Sequence, residues 1–596
     1  PENIPSSFEE TKILANATAT YNFTDALSFT TTMGIDYVLN QRLFARAPQS
    51  YLAIVATPAG AQFGGIEQQQ TDRDFSFNLV NKLSYNKTFN DKHTVEVSVF
   101  NEYIKAHRRA ENWTQQGLDP RTWSLGAGTG FVPFNPATPT LYNRIIGGLK
   151  RDAGLFSYFA TASYDYDSKY GVEATVRRDA SYKFIQDNTW GTFWSVSARW
   201  NIDQEAFMEN SIFDVLKLRA SYGTTGNQNV LAAAYGANPL YLANNNVRDL
   251  NSSQAGYNNA ASLGVATIAN VDLQWETTKQ ANVGIDFTMW KRLSGSLDVY
   301  RKKTIDLFDD NYVSAVNQLY TIAANTQSSI INSGVELLLR YDVFKEGDFK
   351  LDLFVNGSYN KNEWADLVYP NPANDFIQVA DNFVQQNGSQ INTYFVVPYV
   401  GVNPDNGNLL FLDRNNNLTE TPTNEDRRNS GKSMIPKYQG GFGFNTSYKG
   451  FFVNANFSFV ADIYRFDFDL LNLSNPASGI GTGPVVSELL NAWTPTNTGS
   501  NVPSLTATNI NAAETFSDRY LVDADYIRMR NLSFGYEFPA KLLDKTLFSG
   551  VKFYTQLENY LTWSKWRGFD VEGLNSSNQG GYPSPKVISF GVDLQF

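Results

Sequence analysis

Ile588-Ser589-Phe590-Gly591-Val592-Asp593-Leu594-Gln595-Phe596 ends the chain in strict alternation. Ile588, Phe590, Val592, Leu594 and Phe596 fall on one side, and Ser589, Gly591, Asp593 and Gln595 on the other. Successive side chains of a β-strand point to opposite faces, so the stretch reads as a strand with one apolar and one polar face. A soluble sandwich has a use for such a strand. The same pattern repeated along the chain, ending on an aromatic, predicts something narrower: an all-β, transmembrane antiparallel β-barrel whose outside is lipid.

The alternation does repeat. Leu532, Phe534, Tyr536 and Phe538 oppose Asn531, Ser533, Gly535 and Glu537; Val283, Ile285, Phe287 and Met289 oppose Asn282, Gly284, Asp286 and Thr288. Trp194, Val196, Ala198, Trp200 and Ile202 face away from Ser195, Ser197, Arg199 and Asn201. By this template about 17 strands are expected. They lie near 13–24, 27–38, 75–87, 93–105, 155–166, 170–179, 192–203, 214–223, 279–290, 293–304, 331–343, 348–360, 440–449, 451–460, 526–538, 550–562 and 586–596. At a rise of about 3.3 Å per residue and a tilt of about 40°, a strand of about 11 residues spans roughly 28 Å, enough for a lipid-facing band.

Composition agrees by what it excludes. No run of apolar residues is long enough for a transmembrane helix, whereas barrel strands dilute their apolar residues one in two. The 14% aromatic content fits aromatic girdles at two interfaces better than a soluble interior. A net charge of −11 argues against nucleic acid as a partner. The absence of cysteine excludes disulfides, thiol catalysis and Cys-ligated zinc, and His93 and His107 are too few for an all-histidine metal site. Pro1-Glu2-Asn3 reads as neither a signal sequence nor a natural start, so the signal is expected outside this sequence.

Connection lengths alternate. Short turns fall at Thr24-Asp25-Ala26, Asp167-Ser168-Lys169, Lys291-Arg292 and Lys449-Gly450. Between them lie long excursions at 39–74, 106–154, 224–278, 305–330, 361–439, 461–525 and 563–585. Short periplasmic turns and long extracellular loops give a barrel this rhythm. Residues 1–596 are therefore expected to form part of a single barrel domain. With the short turns periplasmic, the strand at 13–24 runs downward and the last strand also ends in the periplasm. Closure with both termini inside then requires at least one upward strand before Pro1.

Several segments resemble the SusC/RagA family of TonB-dependent outer-membrane transporters. They are Leu216-Lys217-Leu218-Arg219-Ala220-Ser221-Tyr222-Gly223, Trp275-Glu276-Thr277-Thr278-Lys279-Gln280-Ala281-Asn282-Val283-Gly284, Tyr300-Arg301-Lys302-Lys303-Thr304-Ile305-Asp306, Gly401-Val402-Asn403-Pro404-Asp405, Pro436-Lys437-Tyr438-Gln439-Gly440, Trp493-Thr494-Pro495, Tyr526-Ile527-Arg528-Met529-Arg530-Asn531 and Glu558-Asn559-Tyr560-Leu561-Thr562. The resemblance implies a barrel of roughly 22 strands closed around a plug. It places the plug, the TonB-contacting segment and the first strands outside this chain. It also implies the outer membrane of a Gram-negative bacterium, a SusD-like surface lipoprotein as partner, and import of an oligomeric nutrient, glycan or peptide, driven through TonB. Phe596 takes from it the role of insertion signal for the barrel-assembly machinery.

Individual residues admit two readings each. Lys217 and Arg219 share a strand face, either as a lumenal basic patch for anionic substrate or as partners of acidic plug or wall residues. Gly223, Gly226 and Asn227 read as a turn above a strand, because no Lys-Ser/Thr follows at phosphate-loop spacing. Asn406-Gly407 reads as a tight turn. Asp413, Asn415 and Asn417 alternate as in a calcium loop, but Leu418 and Asn424 stand where that loop needs Gly and Glu. Trp113, Trp123, Tyr241, Trp364, Tyr369 and Trp493 fall in the long excursions, placed either to contact substrate or lid or to brace the loops. Carboxylate pairs such as Asp309-Asp310 lack any accompanying nucleophile, histidine and oxyanion donor, so no enzyme, cofactor or metal site is expected. A passive porin and a structural subunit of an assembly or secretion complex are the competing functional classes.

Overall fold

In the computed structural model the strands fall where the alternation places them. The structure describes residues 3–138, 141–142, 144–229, 247, 249–312, 314, 321–379, 382–481, 483–510, 517–568, 570–573 and 583–596. The principal sheet runs through β1 (Ser6–Asn22), β2 (Leu27–Arg46), β3 (Ile66–Phe89), β4 (His93–Gln116), β5 (Ile145–Tyr166), β6 (Tyr170–Ser181), β7 (Trp190–Asn201), β8 (Phe213–Asn227), β9 (Glu276–Met289) and β10 (Leu293–Ile305). It continues through β11 (Ser329–Phe344), β12 (Phe349–Ala365), β13 (Tyr438–Tyr448), β14 (Phe451–Ala461), β15 (Tyr526–Glu537), β16 (Gly550–Glu558) and β17 (Val587–Gln595). Each strand pairs antiparallel with its neighbours in the chain, an uninterrupted up-and-down meander. Thr562–Ser564 carries β16 onward after a left-handed residue at Asn559 and pairs with β15. Among the described residues β1 and β17 are the sheet's two edges.

The turns explain the hairpins. Asn90-Asp91, Asp167-Ser168 and Trp290-Lys291 have positive φ at both positions, and each turn is closed by an N–H to C=O bond of 2.9–3.1 Å. Two consecutive left-handed residues match the twist of the flanking strands and make the tightest hairpins. Lys449-Gly450 does the same with φ of 49° and 92°.

Register aligns one apolar face across the sheet. Tyr21, Phe29, Leu83, Val99, Ala160, Val176 and Trp194 lie opposite one another from β1 to β7. Ala220, Val283, Val299 and Val335 continue the same face from β8 to β11. Val283 and Val299 are 52% and 51% exposed, although their neighbours form a continuous oily surface. Water has no place on so extensive an apolar face, and lipid does. Aromatics collect beside the short turns: Phe451 on Tyr536, Phe538 on Phe553, Phe349 on Tyr448, Phe548 on Phe596, and Tyr166 and Trp200 on either side of Tyr170. Trp190 and Trp200 stand ten positions apart on one face of β7, about 25 Å along the membrane normal at a rise of about 3.3 Å and a tilt of about 40°. That is the height of an apolar band with an aromatic at each rim.

Two expectations need correction. β3 and β4 are each 24 residues long and rise well past the band, so the excursions at 39–74 and 106–154 shrink to 47–65 and 117–144. In the extensions, such as Gln68-Gln69-Gln70, the apolar alternation stops while the hydrogen-bonded ladder continues. Gly223, Gly226 and Asn227 are not a turn either. They belong to β8 and pair with Glu276–Gln280. A Cβ at Gly226 would stand 2.0 Å from the Phe193 ring, so the glycine is the seat on which that ring lies.

Placing a charge in the lipid-facing row tests this assignment. Val299→Arg should cost about 2–4 kcal/mol in urea titrations of the protein refolded into liposomes. Ser296→Arg, on the opposite face of the same strand, should change stability by no more than about 0.5 kcal/mol.

Candidate functional site

The face opposite the lipid is polar and largely self-neutralised. The Ser84 and Ser98 hydroxyls bond at 2.9 Å, and Arg177 donates to Glu102 at 2.6 Å and to Ser157 at 2.9 Å. Arg219 forks onto Asp286 at 2.8 and 2.9 Å and reaches Asp298 at 3.0 Å. Lys217 lies 3.7 Å from Asp286. Gly284 makes this three-strand bridge possible, because a Cβ there would stand 2.3 Å from Asp298 and 2.8 Å from Arg219. Of the two readings of Lys217 and Arg219, the wall carboxylates therefore satisfy the second.

The outer connections are folded structures. Ile377–Val379, Phe383–Gln385, Thr393–Val396 and Arg428–Ser433 form a four-stranded sheet, and Tyr399–Val402, Leu409–Leu412 and Leu418–Thr419 a three-stranded one. Tyr464–Phe466 pairs with Leu521–Asp523. Tyr394 and Val396 of one excursion share a buried core with Phe466, Leu471, Tyr520 and Leu521 of the other, and Val397, Leu409 and Phe411 pack on Ile510. The excursions expected at 361–439 and 461–525 thus interlock as one platform.

Beside that platform lies a cavity of about 720 Å³. Leu307–Tyr312 and Thr321–Thr326 form a hairpin on one side, and Ile377–Val379 stands on the other. Asn311, Asn325, Gln327, Gln378 and Gln385 contribute amides, Thr326 and Ser328 hydroxyls, Asp309 a carboxylate, and Val368, Pro370, Ile377 and Val379 apolar surface. Among the described residues the lining contains no cation. Amides both donate and accept, so the cavity suits an uncharged ligand rich in hydroxyl or amide groups.

The aromatics singled out from sequence are not gathered there. Trp113 lies in β4, its ring 5.6 Å from Phe131. Trp123 donates its indole N–H to buried Glu67 at 2.8 Å. Trp493 donates to the Pro404 carbonyl at 3.0 Å and covers Gly407, whose φ is 76°. These three contacts brace loops. Trp364 belongs to β12 rather than to a loop. Tyr369 sits between the cavity residues Val368 and Pro370, with its hydroxyl accepting the Asn387 N–H at 3.1 Å. Tyr241 lies outside the described residues. Phe596 is 84% exposed with its ring 5.2 Å from Phe548. The cavity's amides come from separate excursions and carried no signal of their own in the sequence.

The calcium-like segment is held by protein groups instead. Asp413 accepts the N–H of Asn415 and of Asn417, each at 2.8 Å, and these bonds hold its carboxyl below the usual range. The Arg428 guanidinium reaches the Asn416 side chain and the Asp413 carbonyl, both at 2.6 Å, and supplies the positive charge.

A clamp ties the last outer connection to the wall. A bulge between Met529 and Asn531 sets Arg528 opposite Ser458, on the face away from Leu532 and Phe534. Arg528 donates to Asp570 at 2.5 Å and also to Glu572; Arg530 donates to Glu572 and to Ser458; the Tyr526 hydroxyl reaches Glu572 at 2.5 Å. Burial alone would raise the Asp570 carboxyl, but hydrogen bonds from Arg528 and the Ser584 and Glu572 amides hold it well below the usual range. Arg528 and Asp570 are 6% and 8% exposed. Arg528→Leu, which leaves Asp570 buried without its partner, should cost about 3–5 kcal/mol of stability, read as a fall in melting temperature. A carboxyl lowered by folding stabilises the folded state above its unfolded pKa and loses that contribution as pH falls through the folded value. Below about pH 4 the wild-type advantage over Asp570→Asn should therefore shrink.

The TonB dependent receptor-like, beta-barrel family model matches residues 4–480. TonB-dependent receptor P3 of Formosa agariphila is 28% identical over 98% of this chain and 58% of its own length. TonB-dependent receptor SusC of Bacteroides thetaiotaomicron is 27% identical over 74% of this chain and 44% of its own. The chain thus spans less than two thirds of these relatives. The structure of the RagAB peptide transporter shares the fold, with a TM-score of 0.86 at 23% identity over all of this chain and 63% of that one. This chain belongs to the TonB-dependent receptor-like β-barrel family of the outer membrane, among its SusC/RagA members.

Proposed function

We propose that the intact protein imports an oligomeric nutrient, glycan or peptide, across the outer membrane of a Gram-negative bacterium. A SusD-like lipoprotein delivers it at the long-loop end. TonB acts through a part of the relatives' length that this chain does not span. The observation that carries this reading is the pairing of a polar, amide-lined cavity with a packed platform at that end of the wall. An open pore needs neither. Family membership supports energised import over passive diffusion. The platform is the docking surface for the lipoprotein, and the cavity receives part of the ligand before it enters the lumen.

Deletion of the gene should abolish growth on one oligomeric nutrient and leave growth on its monomer intact; equal growth on both would overturn import. Gentle solubilisation of the full-length protein should recover a surface lipoprotein in stoichiometric amount. With the barrel still folded, Gln378→Leu combined with Gln385→Leu should raise the half-saturating nutrient concentration by about fivefold or more, as expected when polar contacts in a ligand site are removed.

A further inference from the structure

The outer face of β3 to β6 changes character where it leaves the apolar band. Leu83 and Val99 lie within the band, and Leu79 pairs with Tyr103 at its top. Above them the same face carries Lys105, then His107, then Arg109 on β4, opposite Phe77, Phe75 and Arg73 of β3. On β5, Asp152 lies opposite His107 and Lys150 opposite Arg109. Arg178 of β6 pairs with Tyr158 and stands 5.2 Å over the Trp190 ring, at the upper aromatic rim. Lys105 is twelve positions above His93, about 30 Å from the short-turn end at a rise of about 3.3 Å and a tilt of about 40°, and Arg109 is about 40 Å from it. The cluster begins where hydrocarbon ends.

Its charge is unbalanced. Arg73, Arg109 and Lys150 stand side by side on three adjacent strands, all exposed. Like charges directly opposite on a sheet repel. Among the described residues the carboxylates on this face are Asp152, Glu111 and, farther up, Glu67, which holds the Trp123 indole. Asp152 already accepts a 2.5 Å hydrogen bond from His107. Arg108 and Arg177, the neighbours that face inward, are matched to acidic residues. None of the five outward cations is in a salt bridge among the described residues. A chain of net charge −11 thus gathers an excess of positive charge on its lipid-facing side, from the upper aromatic rim outward.

We propose that Arg73, Lys105, Arg109, Lys150 and Arg178 form a site for the phosphorylated saccharide headgroup of an outer-leaflet glycolipid. Guanidinium groups grip phosphate through paired hydrogen bonds, and lysines add point charge. The acyl chains lie below, against Leu79, Tyr103 and Tyr158. The bound lipid relieves the repulsion along the cationic row and fixes the height of the wall in the membrane. The proposal rests on the orientation given above, with the long loops extracellular.

Binding of bisphosphorylated lipid A and of its dephosphorylated form to the full-length protein in detergent, measured by native mass spectrometry, tests it. Wild type should prefer the phosphorylated form by at least about tenfold, as expected for several cations acting near a lipid surface. Arg73→Gln/Arg109→Gln/Lys150→Gln should lose the preference, whereas Lys87→Gln/Lys92→Gln, at the short-turn end, should keep it. Equal binding of both lipids by wild type, or retention of the preference in the triple variant, would each overturn the site. Orientation is read separately. Ala127→Cys should gain labelling over wild type with an impermeant thiol reagent on intact cells; a gain only after permeabilisation would overturn the orientation and not the binding chemistry.

Discussion

A chain that crosses hydrocarbon has no water to satisfy its backbone, so every N–H and C=O in the band must find a protein partner. Here the strands meet that demand sideways, through antiparallel ladders that join each to the next from β1 to β17, the two edges among the described residues. The remaining features are what this ladder permits. Because side chains alternate across it, one face is free to be oily and the other polar without conflict. Because neighbours in sequence are neighbours in space, the pairs joined at the short-turn end need only a tight turn.

The same ladder organises the charges. Opposed residues share a face, so Arg219 meets Asp286 on the next strand, and Gly284 opens the way to Asp298 on the strand after it. Neutralisation within the wall keeps the lumenal face polar without a large net field. On the outer face register sets cation against cation at Arg73, Arg109 and Lys150, and again at Lys279 and Lys303, where Asp366 takes up Lys303. A fold that pairs its inward arginines so thoroughly leaves these facing outward, and that contrast marks the patch as a surface for something anionic.

At the long-loop end the governing physics changes. The platform is held by an ordinary buried core, with Tyr394, Val396, Phe466 and Tyr520 packed together, and by indoles such as Trp123 and Trp493 spent on hydrogen bonds between loops. Rigidity there gives the amide-lined cavity a fixed shape. The ion-pair clamp of Arg528 and Arg530 holds the last connection to the wall in the same way.

The strands were legible because hydrocarbon imposes a period of two that few other environments impose so strictly. Val283, Val299, Trp194 and Phe590 could be assigned to a face from their neighbours alone, and the short turns from their length. Legibility ended where that pressure ended. The Gln68–Gln70 extension is strand without alternation. Gly226 looked like a turn until Phe193, from another strand, was found lying on it. The indoles of Trp113, Trp123 and Trp493 had two uses open to them, and only the positions of Phe131, Glu67 and Pro404 decided between them. Local pattern determined which residues face lipid and in what order the wall is built, because each strand carries its own pattern. The cavity, the platform core and the cationic patch join residues from distant segments, and only the register between strands and the packing between loops could bring them together.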